Sequence, residues 1–293
     1  GPTHPEGQST IGSAANVKAL SREDIVGFHR GALRPDLATF VIVGDVSLGE
    51  MRARLETAFA GNWPVSMAAE AVSPAIVPPP RSRSVLVVDR PGAAQSAIRI
   101  VTLGPARSSP DLPALDVLNM VLGGSSTSRI ERNLRAKHGF AYEARSFFEF
   151  RDGASPFIVA ANVETKATAP AIREILNELA AIRGTISAAE VGSAASILLR
   201  GVPERFLTVR SIAGGVTDLA LAGRPLDYTT THLRRIAEAR PPDVMRAART
   251  YIDPARVVVV IVGDWRALEA EIRRLALGPI RVLRPEELIP PPP

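Results

Sequence analysis

The sequence predicts an α+β protein whose mostly antiparallel sheet is covered by helices on one side, built from a duplicated domain with a truncated first copy. Three observations carry this. The stretch TFVIVGDVSLGEM (Thr39–Met51) returns as VVVIVGDWRALEA (Val258–Ala270). Runs with a period of two cluster apart from runs with helical spacing, which segregates strands from helices. A Pro- and Ala-rich stretch over residues 66–83 divides the two copies.

The repeat keeps its register over a long distance. Pro35 to Gly44 is nine residues, as is Pro254 to Gly263, and Gly263 lies 219 positions after Gly44. At that offset Ser21–Pro35 lies over Arg240–Pro254, with Asp24 over Asp243. Each copy reads as helix, short Pro turn, buried strand, Gly-Asp corner and helix. Such a unit exceeds a solenoid repeat of roughly 20–50 residues, so the copies are whole domains. Ala220 matches Gly1 and lies 136 residues after Ser84, so about that many residues are expected ahead of the first copy. The opening Gly1-Pro2 reads as the remnant of a removed tag. The domains are therefore 1–65, the end of a first domain; 66–83, a linker; and 84–293, a complete second domain. The remnant around the strand Phe40–Val43 is expected to be mobile, to dimerise through its exposed strand edge, or to pack on the second copy.

In the second copy, SVLVVDRP (Ser84–Pro91) is a nearly continuous apolar run, the pattern of a buried strand. QSAIRIVTLG (Gln95–Gly104) alternates, with Ala97, Arg99 and Val101 on one face. Asp111 is placed to cap a helix with the stripe Leu115, Leu118 and Val121, stopped by Gly123-Gly124. Ser126 or Thr127 is placed to cap a second short helix, with Ile130 and Leu134 at i,i+4, and Gly139 ends it. Lys137 and His138 suit the negative end of its dipole. Two strands around Arg151-Asp152-Gly153 form a hairpin. Ile172, Ile175, Leu176 and Leu179 are the buried stripe of a helix over Lys166–Gly184. Three further helices precede the repeated helix, strand and helix.

Composition narrows the function. Hydrophobic residues are 46% and charged residues 22%, ordinary for a globular protein. No apolar run approaches the roughly 18 residues of a membrane span. Cysteine is absent, which excludes disulfides, thiolate metal sites and a cysteine nucleophile. That absence favours a periplasmic over a cytoplasmic location for a chain that reads as soluble. Net charge is +5 and the pI about 10.2. The arginines are scattered and aromatics are only 5%, so nucleic-acid binding is not expected.

The four histidines, His4, His29, His138 and His232, form neither H-E-x-x-H nor H-x-x-E-H, and no metal site is expected in this chain. His29 and His232 read as helix-surface residues. LGGSSTSRI lacks the G-K-[ST] ending of a phosphate loop and follows a helix, and its serines lack a G-x-S-x-G elbow. Arg135 near a helix end and Tyr142 at a strand start remain. A guanidinium is a fixed fork of donors and a phenol a single directional donor, which suits a peptide carbonyl or a developing oxyanion. The same residues also read as a surface Arg and a half-buried Tyr.

DRPGAAQSAIRI, VLGGSSTSRIERNLRAKHGFAY and both VIVGD corners resemble the second domain of the pitrilysin, insulysin and mitochondrial processing peptidase family, the inverzincins. HPEGQSTIGS with ALSREDIVGFHRGALRPDLATFVIVGD resembles the end of that family's first domain. The resemblance covers essentially the whole chain. It implies that zinc, bound through H-x-x-E-H, belongs to the first domain ahead of HPEG, with no cofactor on this chain. It implies that Arg135 and Tyr142, seven apart, bind substrate at that zinc. The implied partners are an extended or unfolded polypeptide and a metal-bearing domain or subunit, in a homo- or heterodimer. The expected function is a zinc-metallopeptidase fragment that binds peptide and completes an active site, inactive alone. The alternative is a non-catalytic partner subunit or scaffold without its own zinc.

Overall fold

The computed structural model describes residues 10–59, 63, 78–153 and 155–288. Most of the 66–83 stretch and the His4 motif lie outside these. In chain order the elements begin with α1 (Ala14–Ala19), α2 (Arg22–Ala32), α3 (Leu48–Phe59), β1 (Ser84–Asp89) and β2 (Gln95–Gly104). Next come α4 (Leu112–Leu122), α5 (Arg129–Glu131), β3 (Ala141–Phe148), β4 (Ser155–Glu164), α6 (Thr168–Ala181) and α7 (Ala188–Arg200). The chain continues with α8 (Val209–Leu221), α9 (Tyr228–Ala237), α10 (Pro241–Tyr251), β5 (Val258–Gly263), α11 (Trp265–Arg274), β6 (Ile280–Leu283) and α12 (Pro285–Leu288). These fall into two compact units, one drawn from within 1–75 and 202–228, the other from 76–201 and 229–290.

The repeat is visible in the helices. Adding 219 to the bounds of α2 gives 241–251, the bounds of α10. Asp24 accepts the Ser21 N–H at 2.9 Å and Asp243 accepts the Arg240 N–H at 3.3 Å, the same N-terminal carboxylate contact. The strand is not repeated. Phe40–Val43, expected to be a buried strand, forms no ladder, and Phe40 and Ile42 are exposed. Its counterpart β5 lies between two strands that take up its N–H and C=O groups, whereas the described residues give Phe40–Val43 no such neighbour. No residue of α1, α2 or α3 is buried. Phe40, Phe59 and Trp63 cluster instead, with ring centroids 5.1–6.3 Å apart.

The larger unit holds a six-stranded sheet of order β3-β4-β2-β5-β1-β6. β3, β4, β2 and β5 pair antiparallel in succession, while β1 runs parallel to both β5 and β6. One face is continuous and apolar. Ala161, Ile98, Ile261 and Val87 lie in one row across four strands, and Val159, Ile100, Val259 and Val85 in the next; all are buried. A slip of one residue would move a whole row to the other face, where Ala97, Arg99 and Val101 are half-exposed, so burial fixes the register.

Helices cover the apolar face. Leu115, Leu118 and Leu122 of α4, Ile172, Ile175 and Leu179 of α6, and Val244, Ala247 and Ala248 of α10 join one core. Each large side chain among them contributes about 1.5–3 kcal/mol on burial. Two features differ from the sequence reading. Asp111 does not cap α4 with its side chain. Its carboxylate takes both Arg246 donors, at 2.8 and 3.0 Å, and the Tyr251 hydroxyl at 2.9 Å, which locks α10 to α4. The Arg246 guanidinium holds that carboxyl below the usual range. The second feature is β6, unexpected because only Leu283 of its four residues is buried.

Candidate functional site

Arg135 and Tyr142 are brought together at the β3 edge of the sheet. The segment that carries Arg135 begins at Ser128, which takes the position expected of Ser126 or Thr127 but makes no side-chain cap. Ile130 and Leu134 are buried and anchor it. After α5 the helix widens to a π-helical stretch over Arg132–Lys137, and the His138 N–H bonds to the Asn133 carbonyl five residues back. Asn133 donates to Glu174 at 3.1 Å and to Glu178 at 2.6 Å, which ties the widened turn to α6. Gly139, at φ +64°, reverses the chain into β3 in a conformation that other residues adopt at a cost. His138 stacks on Phe140 at 4.8 Å.

The side chains then meet over a groove of about 660 Å³ lined by the Gly123–Ser126 loop, Arg135, Tyr142 and Arg145. Arg135 is about half exposed (53%) and Tyr142 is 87% exposed. The Arg135 Cζ lies 5.4 Å from the Tyr142 ring centroid. The sequence reading missed Glu131. Its side chain is 8% exposed, and it accepts Arg135 Nη1 at 3.1 Å and the Ala144 N–H at 2.8 Å. The available signal was a Glu four residues before Arg135, set between Ile130 and Leu134.

The opposite wall is the loop after α4. The Gly123 carbonyl accepts the Ser146 N–H at 2.9 Å. A Cβ on Gly123 would sit 2.5 Å from the Ser146 nitrogen, so the backbones approach this closely only through glycine. The N–H groups of Ala144 and Ser146 are thus both engaged within the chain. Neither N–H is therefore free to pair with a strand added at the β3 edge.

His232 is not a plain surface residue: its Nε2 lies 2.7 Å from Asp116 and the side chain is 17% exposed. Among the described residues no group of three or more His, Asp or Glu side chains is placed to hold a metal.

Arg129 fixes the start of the segment to α7. Its Nε and Nη2 donate to Glu190 at 2.7 and 3.0 Å, and Ser187 adds its N–H and hydroxyl at 2.9 Å. The Arg129 guanidinium, with Ser187, brings the Glu190 carboxyl down to about 2 from the usual 4.5. A depressed carboxyl stabilises the fold above its unfolded value. That contribution is expected to be complete above pH 4.5 and to fade as pH falls towards 2. Glu190→Gln is expected to cost about 1–2 kcal/mol after allowance for solvent screening, and the loss between pH 4.5 and 2 should shrink with it, as thermal melts across that range would record.

The sequence profile of the peptidase M16 inactive domain matches residues 19–198. The chain belongs to this family. It is the pitrilysin and processing-peptidase family that the motifs resemble. A Mycobacterium leprae protein named as an uncharacterized zinc protease is 28% identical over 166 residues, covering 54% of this chain and 36% of that protein. A Mycobacterium tuberculosis H37Rv protein of the same description is 28% identical over 206 residues, covering 68% and 45%. This M16 inactive domain chain thus spans less than half the length of these curated relatives. Among solved structures, the peptidase M16 inactive domain from Pseudomonas fluorescens superposes with TM-score 0.79 at 21% identity, covering 89% of this chain and 61% of that one. A Helicobacter pylori protease gives TM-score 0.79 at 22% identity, covering 86% and 61%. These likenesses establish the M16 fold.

Proposed function

We propose that this M16 inactive domain grips an extended peptide through Arg135 and Tyr142 and so completes the active site of a metal-bearing domain, in the same full-length protein or a partner subunit. The observation that carries this reading is that the two side chains open onto one groove. A tyrosine 87% exposed contributes little to its own core, and a buried carboxylate orients the arginine beside it.

The guanidinium presents a charged, planar set of donors to a carbonyl or to the oxyanion that develops from it. The Tyr142 hydroxyl adds one neutral donor. Because the Ala144 and Ser146 N–H groups are engaged, the peptide is held here by side chains rather than by the backbone of β3. Metal chemistry is left to the metal-bearing domain, as the family resemblance implies, and Arg135 and Tyr142 supply only the binding and orientation of the peptide.

Tyr142→Phe tests this in the full-length protein or complex. Loss of one neutral donor is expected to lower kcat about tenfold, with KM and Tm close to wild type. An unchanged kcat would remove Tyr142 from the reading.

A further inference from the structure

We infer that Glu131 is the positioning residue of the site, the group that holds Arg135 and Tyr142 in their working arrangement. The inference rests on the proposed role of that pair.

Glu131 occupies a place where the sequence pattern favours an apolar residue. Ile130 before it and Leu134 after it are fully buried, and Glu131 itself is 6% exposed. Burying a carboxylate is costly unless each oxygen is bonded. Here the two oxygens go to different elements. Oε1 takes Arg135 Nη1 at 3.1 Å on the π-helical stretch, and Oε2 takes the Ala144 N–H at 2.8 Å on β3. One rigid carboxylate therefore sets the separation between the turn that carries Arg135 and the strand that carries Tyr142.

Two irregularities lie at its two ends. The helix that bears Arg135 is widened over Arg132–Lys137, and such π stretches concentrate at functional sites. The β3–β4 ladder breaks register between Ala141 and Ala144, which leaves Tyr142 and Glu143 without opposite partners. Ladder irregularities of this kind re-aim a side chain. The Ala144 N–H that follows the break is the one Glu131 accepts. Asn133 anchors the widened turn to α6 through Glu174 and Glu178, on the side away from the groove lining. Glu131 thus faces the groove side of the turn and controls the Arg135 fork directly.

A glutamine cannot replace it. Its amide offers one acceptor and one donor, so it serves Arg135 or Ala144 and sets an NH₂ against the other N–H. An aspartate keeps two acceptors but stands one methylene short of both partners.

The test uses the full-length peptidase or reconstituted complex, assayed with a fluorogenic extended peptide. Glu131→Gln is expected to lower kcat about tenfold with KM near wild type, the loss of one charge-assisted bond at a group that acts in turnover. In the Arg135→Ala background the same change is expected to lower kcat by a clearly smaller factor, because only its hold on the Tyr142 strand through the Ala144 N–H is left to lose. Glu131→Asp carries the same two expectations if the Gln variant does not fold. If Arg135→Ala lowers kcat but Glu131→Gln and Glu131→Asp keep the wild-type value, the inference falls while the proposed function stands. If the Glu131 changes lower kcat by the same factor in both backgrounds, Glu131 acts elsewhere and the inference also falls. If Arg135→Ala itself keeps full turnover, the functional reading fails and takes the inference with it.

Discussion

On the proposed function, Arg135→Ala is expected to lower the kcat of the full-length protein or complex by on the order of 10²–10³, the usual effect of deleting one donor aimed at a developing oxyanion. The fold should survive it. The side chain is half exposed, it fills no core space, and its ion pair with Glu131 opens onto the groove. Water entering the groove can replace it, so the stability cost is about 1 kcal/mol. That corresponds to a Tm shift of roughly 2–4 °C for a domain of this size. Peptide-cleavage kinetics and melts on one preparation separate the two effects. A large Tm loss with unchanged turnover per folded molecule would make Arg135 a structural residue.

Gly123→Ala is expected to have the largest effect on stability among changes at the site. The added methyl would meet the Ser146 nitrogen, Oγ and Cβ, all within 2.9 Å. Two of these atoms belong to the β3 backbone or sit one bond from it, so relief requires the loop or the strand to move. Movement also breaks the bond between the Gly123 carbonyl and the Ser146 N–H, and disturbs the 2.7 Å bond from Ser146 Oγ to Asn119. Overpacking of this kind costs about 3 kcal/mol at the upper end of its usual range. The Tm is expected to fall by roughly 6–12 °C. A melt within a degree of wild type would show that the loop yields freely and does not hold the groove wall.

The parts of the fold legible in the sequence are those where burial acts on a regular period. The rows through Ile98 and Ile100, the stripe Ile172–Leu179, the hairpin at Arg151–Gly153 and the matching helices α2 and α10 all follow from spacing alone. Phe40–Val43 shares the apolar pattern of β5 but, among the described residues, not its neighbours, and a strand exists only as part of a ladder. β6 is too short, with one buried residue, to show a period. Asp111 has the residue type and place of a helix cap, yet Arg246 and Tyr251, 135 and 140 residues away, take its carboxylate. No local rule anticipates that contact.

At the site the limits are similar. Arg135 and Tyr142 stand out through the family resemblance, since their types and spacing alone also fit a surface Arg and a half-buried Tyr, and their meeting over one groove follows from the turn at Gly139. Glu131 was not visible, because its role depends on a strand thirteen residues further on and on a helix that widens midway. A Glu four residues before an Arg ordinarily reads as a solvated helix pair. Only its burial distinguishes it.

The central claim, that a peptide passes over Arg135 and Tyr142, is tested most directly by photo-cross-linking. Residue 142 is replaced by p-benzoylphenylalanine in the full-length protein or complex, and an extended peptide is added under illumination. Exposed Arg281 on β6, the opposite edge of the sheet, carries the same probe as control. The account predicts a peptide adduct at 142 that unlabelled peptide competes away, with none at 281. Equal labelling at both positions, or none at 142, would contradict it.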